Sequence, residues 1–439
     1  MEAFYTDFFE NAKTVLEKNW RGKSTIPSPT LYPHQWSWDS AFIAIGYAHY
    51  SQEKAQSKLD SILQGQWDNG LLLHMIFNPK VRGYFPDYSY WKTESHSPDG
   101  ILTSGLVQPP VHAIAAIKYY LHTHEKKAIR RWFPKLKKYH NYLLEMRDPE
   151  NSGFATIYHP WESGFDNSPR WDEALTCIKP GDIPEYKRSD ITQVKKAEER
   201  PTKQHYDKYI YLVEILKKFD YNDKSIYKEI PFKIKDVVFN TILYVANKSL
   251  LEIANILEED DKEILEWIER QEDKFIKQFC PEPEMGLFYD YDLVADKFIE
   301  KRTVSALIPI YTGFIEKDIV DMAVTWLEHS HFCGVSEREV ARYCKYPLAP
   351  STSLDSPSFS HITYWRGPIW INTNWILYQG LRTYKYDGKA EKLRKVMLDL
   401  IRDNGFYEYF DPHDGSGHGS KDFSWTASLA IDLLHKCDI

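Results

Sequence analysis

The chain has 439 residues, 43% hydrophobic and 27% charged, enough to bury a large core and too apolar for a disordered polymer. Its 63 acidic against 55 basic residues leave a net charge of -8, which argues against a nucleic-acid partner, because such partners call for a basic excess. Five scattered cysteines with no CxxC pair indicate neither a disulfide framework nor a zinc knuckle. The N-terminus lacks the basic and apolar regions of a signal peptide, and no run approaches the roughly 18 apolar residues of a membrane span. The expectation is a reduced, cytoplasmic protein with no membrane partner. Aromatic residues reach 15%, with 14 Trp and 30 Tyr, more than packing demands, and suggest an aromatic-lined site.

In chain order, Phe4, Phe8, Ala12, Val15 and Leu16 recur at helical spacing and predict a helix over 3–19. Further helices are expected from about Trp38 to Tyr50 and from 52 to 65. An irregular stretch rich in Gly and Pro follows over 66–105. Helices resume at 110–122 and 127–145, and a second irregular stretch covers 147–203. Helical patterns then run over 204–218, 232–257, 262–278, 303–313, 317–329, 336–344, 368–384, 389–403 and 422–436, with a Pro/Ser-rich loop at 345–367. Only 154–158 and 405–410 read as extended. Roughly a dozen helices without a linker predict an all-α chain, one domain over 1–439 with loop insertions near 66–105 and 147–203. The count is compatible with an (α/α)6 toroid and equally with a helical solenoid.

Five clusters can carry chemistry. Leu31 to Asp39 places Trp36 and Trp38 just before Asp39, which is either a helix cap or an acid on an aromatic platform. Tyr84 lies in the first long loop, and Gln108 precedes two prolines at a helix start. Tyr158 to Asp172 mixes Trp161 with Glu162, Asp166 and Asp172 in a segment whose prolines and glycine forbid a regular helix. An apolar wall beside Asp166 would raise its proton affinity, as a general acid requires. Tyr364 to Asn372 gathers Trp365, Arg366 and Trp370, with Arg366 a candidate partner for a loop acid. Finally, Glu408 lies between two tyrosines in an extended piece and would face away from both, as either a solvated side chain or a base. The glycines after Asp414 lack the Lys-Ser/Thr of a phosphate loop, the histidines show no metal-ligand spacing, and Asp290-Tyr-Asp292 lacks the rest of a calcium pattern. No cofactor or metal is called for. Two carboxylates from distant loops among aromatic walls fit glycoside hydrolysis, one protonating the leaving oxygen and one activating water.

These motifs also carry a resemblance. YPHQWSWDSA at 32–41, GYFP at 83–86, QPPVHA at 108–113, PWESGFDNSPRW at 160–171, ERPT with YDKY within 199–209, YWRGPIW at 364–370, GFYEYFDP at 405–412 and the FSWTA after it are similar to glycoside hydrolase family 63, in its mannosylglycerate and glucosylglycerate hydrolase branch. The resemblance implies an (α/α)6 barrel and an inverting mechanism, with Asp166 as general acid and Glu408 as general base, their carboxyls about 6.5–9.5 Å apart. It implies sugar contacts from Tyr32, Trp36, Trp38, Asp39, Trp161 and Trp370. It implies aglycone contacts from Tyr84, Gln108, Arg200, Tyr206 and Tyr364, with Trp365 and Glu162 completing the substrate set. Arg200 suits a glycerate carboxylate because a guanidinium forks onto one; read from its neighbours alone it is a surface residue in a charged run. The partner implied is a small glycoside. The preferred sugar and the oligomeric state, a homo-oligomer included, stay open. Glucosylglycerol, short oligosaccharides, or an epimerase or lyase reaction on the same barrel are the alternatives.

Overall fold

The computed structural model describes residues 2–188, 190–194, 196–334 and 344–435, without the side chains of 2–5 and 192. The helices among the described residues are α1 (Glu2–Asn19), α2 (Ser37–Ala48), α3 (Gln52–Gln64), α4 (Tyr88–Trp91), α5 (His112–Thr123), α6 (Lys126–Glu145), α7 (Asp172–Thr176), α8 (Lys203–Lys218), α9 (Asp223–Glu229), α10 (Val237–Leu257), α11 (Lys262–Phe279), α12 (Lys317–Leu327), α13 (Ile371–Thr383), α14 (Asp387–Asn404) and α15 (Ser424–Leu434). The chain is mostly helical, as its patterning predicts. The strands are brief: β1 (Gln35–Trp36) pairs with β2 (Met75–Ile76), β3 (Ile234–Lys235), β4 (Asp290–Asp292) and β5 (Lys297–Ile299) form one antiparallel sheet, and β6 (Tyr407–Phe410) pairs with β7 (Gly417–Lys421). Most of these are too short for side-chain alternation to show in a sequence.

Two kinds of helix separate by composition. In α2 and through most of α5, α10, α13 and α15 every face is buried, as expected of helices that are apolar all round. By contrast α11 buries Ile264, Trp267, Ile268, Gln271 and Phe275, a single stripe at three- and four-residue steps. The buried segments touch in a closed order: α15 meets α2, α2 meets α5, α5 meets α10, α10 meets residues 308–312, those meet α13, and α13 returns to α15. The striped helices lie outside, with α1 on α15, α3 on α2, α6 on α5 and α10, α11 on α10, and α14 on α13 and α15. Gly46 lets α2 approach α15, since a Cβ there would lie 2.2 Å from the Ser428 hydroxyl, which instead accepts the Gly46 N–H at 2.9 Å.

Some expectations change. The helix predicted over 303–313 is two 3-10 turns, Val304–Ala306 and Ile308–Thr312, because Pro309 lacks the N–H an α-helix needs there. The helix predicted from 232 starts only at Val237: Asp236 caps it, accepting the Phe239 N–H at 2.8 Å, and residues 234–235 pair with β4 instead. Inside the expected loops lie α4 and α7. The helix expected at 336–344 falls almost wholly outside the described residues, as does Cys437. Cys333 and Cys344 form a disulfide, contrary to the expectation from cysteine spacing. They lack CxxC spacing, and nothing in the sequence around them announces their proximity. Helix α10 is long and apolar enough by length and composition to cross a membrane, contrary to the reading that no run comes near, but its apolar window is 78% buried against neighbouring helices.

Candidate active site

The buried helices α2, α5, α13 and α15 begin beside one cavity, to which the residues at or just before their first turns contribute Trp38, Gln108, Trp365 and Trp425. No side chain caps these four starts. Instead the Trp38 N–H donates to Gln108 Oε1 at 3.2 Å, which turns the Gln108 amide NH2 into its remaining donor group.

Asp166 enters from one side, on a loop fixed at several points. The 3-10 turn Pro160–Ser163 ends at Gly164, whose φ of +75° and lack of Cβ let Trp38 approach; a Cβ would lie 2.6 Å from the indole. Tyr209 donates its hydroxyl to the Asp166 carbonyl at 2.8 Å, and Asn167 Oδ1 accepts the Trp365 N–H at 3.0 Å. Arg170 ties the same loop to the wall below, 2.9 Å from Asp290 and 3.4 Å from the α10 cap Asp236. Asp290, suggestive of a calcium loop in the sequence, is thus an ion-pair partner. Arg366 grips Asp172 through two hydrogen bonds at 2.9 and 2.6 Å, the loop-acid pairing anticipated for it. Burial raises the Asp166 carboxyl to about 7, against the pull of Arg200 and with a contribution from Glu408.

Glu408 enters from the opposite side of the sequence, on β6, where a bulge between Tyr407 and Tyr409 offsets the pairing with β7. Its Oε1 accepts the Tyr32 hydroxyl at 2.5 Å and its Oε2 accepts the Ser420 N–H at 3.0 Å. Gly419 leaves room for this, since a Cβ there would stand 2.3 Å from Oε2. Burial raises the Glu408 carboxyl; Arg200 opposes that, 3.9 Å from Oε1, as do the hydrogen bonds from Tyr32 and Ser420. Arg200 itself lies over Tyr364, its guanidinium carbon 4.1 Å from the ring centre, with its Nη1 3.1 Å from the Tyr32 hydroxyl and its Nε 3.4 Å from Asp190.

The remaining walls are aromatic. Trp36 stands edge-on to Tyr32 at 5.2 Å, Tyr84 edge-on to Trp36 at 6.1 Å, and Trp161 against Tyr206 at 5.8 Å. Asp39 closes the floor; burial raises its carboxyl to about 7, against the charge of the buried Lys58. Tyr32, Trp36, Trp38, Asp39, Tyr84, Gln108, Trp161, Asp166, Arg200, Tyr206, Tyr364, Trp365 and Glu408, all singled out from the sequence, line this one cavity.

Two expected contacts lie elsewhere. Glu162 is fully buried, clamped by Arg147 at 3.0 and 2.8 Å and accepting the N–H groups of Val107 and Tyr158, so its lone pairs are occupied and it faces away from the cavity. Trp370 is also fully buried and stacks under Trp365 with ring centres 3.7 Å apart and planes 4° from parallel, backing the wall rather than forming it. Conversely, His74, Asp190 and Phe423 line the cavity without having been singled out as contacts. Phe423 opens the FSWTA motif; no local pattern marks His74 or Asp190.

Two buried carboxyls of raised proton affinity, Asp166 from a loop and Glu408 from β6, line one aromatic cavity, an arrangement that suits a glycoside hydrolase. Residues 32–426 match the mannosylglycerate hydrolase MGH1-like glycoside hydrolase domain, and the chain belongs to that family. It is 39% identical over 439 positions to the mannosylglycerate hydrolase of Rubrobacter radiotolerans, covering 98% of this chain and 97% of that one. It is 36% identical to the glucosylglycerate hydrolase of Mycolicibacterium hassiacum, covering 98% of both. The crystal structure of the family 63 mannosylglycerate hydrolase from Thermus thermophilus in complex with Tris and D-glycerate matches with a TM-score of 0.89 at 37% identity, over 97% of this chain and 99% of that one.

Proposed function

We propose that this chain is an inverting α-glycosidase that hydrolyses 2-O-α-mannosyl- or 2-O-α-glucosyl-glycerate to the free sugar and glycerate. The observation that carries this reading is the arrangement of one buried guanidinium, Arg200, on the wall of an aromatic cavity that also holds Asp166 and Glu408. A small anionic aglycone suits Arg200, whose planar fork matches a carboxylate. The indoles of Trp36 and Trp38 border the cavity where the C–H surface of one sugar ring would lie, while Trp365, held between Trp370 and Phe165, shapes the wall beside them.

In the reaction, protonated Asp166 gives its proton to the glycosidic oxygen as the bond from that oxygen to the anomeric carbon breaks. Glu408, as the anion, takes a proton from a water whose oxygen bonds the anomeric carbon from the opposite face. Asp166 ends charged and Glu408 neutral, and exchange with solvent resets both. An Asp166 carboxyl near 7 keeps a working fraction protonated at neutral pH. The carboxylate state of Glu408 is favoured by Arg200 and by the hydroxyl of Tyr32.

The closed order of six buried segments with striped helices outside supports an (α/α)6 toroid formed as one domain over 1–439. A small charged solute is retained inside cells, which supports a cytoplasmic location.

The test is a substrate panel of mannosylglycerate, glucosylglycerate, glucosylglycerol and disaccharides, with NMR reading the anomer released. The expected result is turnover of one or both glycerates with the β-anomer formed first. Release of the α-anomer first, or preference for the uncharged compounds, would overturn the reading.

A further inference from the structure

Arg200 stands between a binding task and a catalytic one. Its Nη1 is 3.9 Å from the Glu408 carboxylate and 3.1 Å from the Tyr32 hydroxyl, and that hydroxyl donates to Glu408 at 2.5 Å and lies 3.1 Å from the Tyr364 hydroxyl. The guanidinium is buried among these groups, and it also lines a second cavity, together with Thr202 and Arg366. One charge is therefore shared among the base, Asp190 and whatever anion enters. The titratable groups that face Glu408 are Tyr32, Arg200, Tyr364 and Tyr409, with Asp39 and Asp166 across the cavity. Of these only Arg200 is cationic.

Resting on the substrate class proposed above, we infer that Arg200 couples the aglycone to the base: a carboxylate drawn onto Arg200 takes up the positive charge that otherwise holds a proton off Glu408, and Tyr32 is the positioning residue that joins the two. The base is weakest in the empty site and strengthens when an anionic aglycone is seated. A glycoside with an uncharged aglycone leaves the charge of Arg200 on Glu408 and so meets a poorer base, whatever its fit to the sugar walls. Specificity for the acid is then exercised in the chemical step as well as in binding. Tyr32 keeps Glu408 Oε1 in place through the change, because its hydroxyl donates to the carboxylate whether Arg200 is shared or not.

The direct measurement is the titration of Glu408 in the full chain labelled with 13C at glutamate carboxyls, its signal assigned by its loss in Glu408→Gln. Saturating D-glycerate is expected to raise the midpoint by about 1 pH unit, the scale expected when a neighbouring opposite charge is withdrawn. Glycerol at the same concentration is expected to leave it in place. In Arg200→Gln the midpoint is expected to be already raised without any ligand, whereas Arg200→Lys, which keeps the charge and is the safer variant to fold, holds it low. In Tyr32→Phe, kcat is expected to fall more than about tenfold with KM within about twofold, a split that loss of a sugar contact would not give. A Glu408 midpoint equal with and without bound glycerate, or equal in Arg200→Gln and wild type, would sink the coupling while leaving the hydrolase reading intact. Failure of glycerate to bind the wild-type protein at all would remove the substrate reading and the coupling with it.

Discussion

Asp166 is held at a cost. A carboxyl whose folded value is raised to about 7 from an ordinary 3.8 binds more protons folded than unfolded across that interval. Stability therefore falls as pH rises from about 4 to about 7, and the full penalty is present above 7. Replacing Asp166 by Asn removes the charge. Thermal unfolding of Asp166→Asn is expected to match wild type near pH 4 and to exceed it by on the order of 1–3 kcal/mol at pH 8, discounting for partial exposure. The same variant is expected to lose at least about a thousandfold in kcat, the scale on which general acids act when water must replace them. A variant more stable and inactive would mark the site as strained for function. The residue scale is also where the sequence is most informative: Asp166 and the indoles stand out by their neighbours, whereas Arg200, set in a charged run, is marked only by the family motif around it. It fails at Glu162, because three acids in one irregular segment look alike until the chain's turn decides which faces the cavity, and at His74 and Asp190, whose neighbours carry no signal.

At the scale of elements, the turn Pro160–Ser163 shows what a misread residue contributes. The Arg147–Glu162 pair is buried, and Arg147, two residues beyond α6, is also 2.8 Å from Asp223 and donates to the Tyr142 hydroxyl of α6, so the ion pair clamps the acid-bearing loop to α6 and α9. Glu162→Ala leaves a buried guanidinium short of a partner and is expected to cost about 3–5 kcal/mol in chemical denaturation, with KM little changed in the protein that remains folded. A large rise in KM at unchanged stability would restore Glu162 to the substrate. In the same way Gly46→Ala is expected to destabilise by about 1–3 kcal/mol by forcing α2 away from the Ser428 backbone, 2.7 Å from the added methyl. Helices of this chain were legible because their periodicity runs for many residues; strands of two or three residues, the 3-10 turns where Pro309 excludes an α-helix and the start of α10 were not, since a single residue or a pairing partner far along the chain decides them.

For the whole molecule, the two ends of the described chain meet. Helix α1 covers α15, burying Phe8, Ala12, Val15 and Leu16. The three large side chains among them contribute roughly 5–9 kcal/mol of burial, comparable to the entire net stability of a typical domain. Removing residues 2–19 is expected to abolish a single cooperative unfolding transition seen by calorimetry, and retention of an unshifted transition would show that α15 stands without its cover. The class of the fold was legible from the count and composition of helices. The order in which buried segments touch was not, because nothing local in α15 names α2 as its neighbour.

The stacked pair of Trp365 and Trp370 has an optical consequence. Two indoles stacked at 3.7 Å are close enough to couple their excitations, and any twist between their long axes would show as a paired positive and negative band in circular dichroism. Only Trp365 of the pair borders the cavity, so a ligand entering there changes the surroundings of one partner and not of the other. The protein thus carries its own spectroscopic ruler for occupancy, readable without label or turnover, at the wall where the ring is proposed to lie.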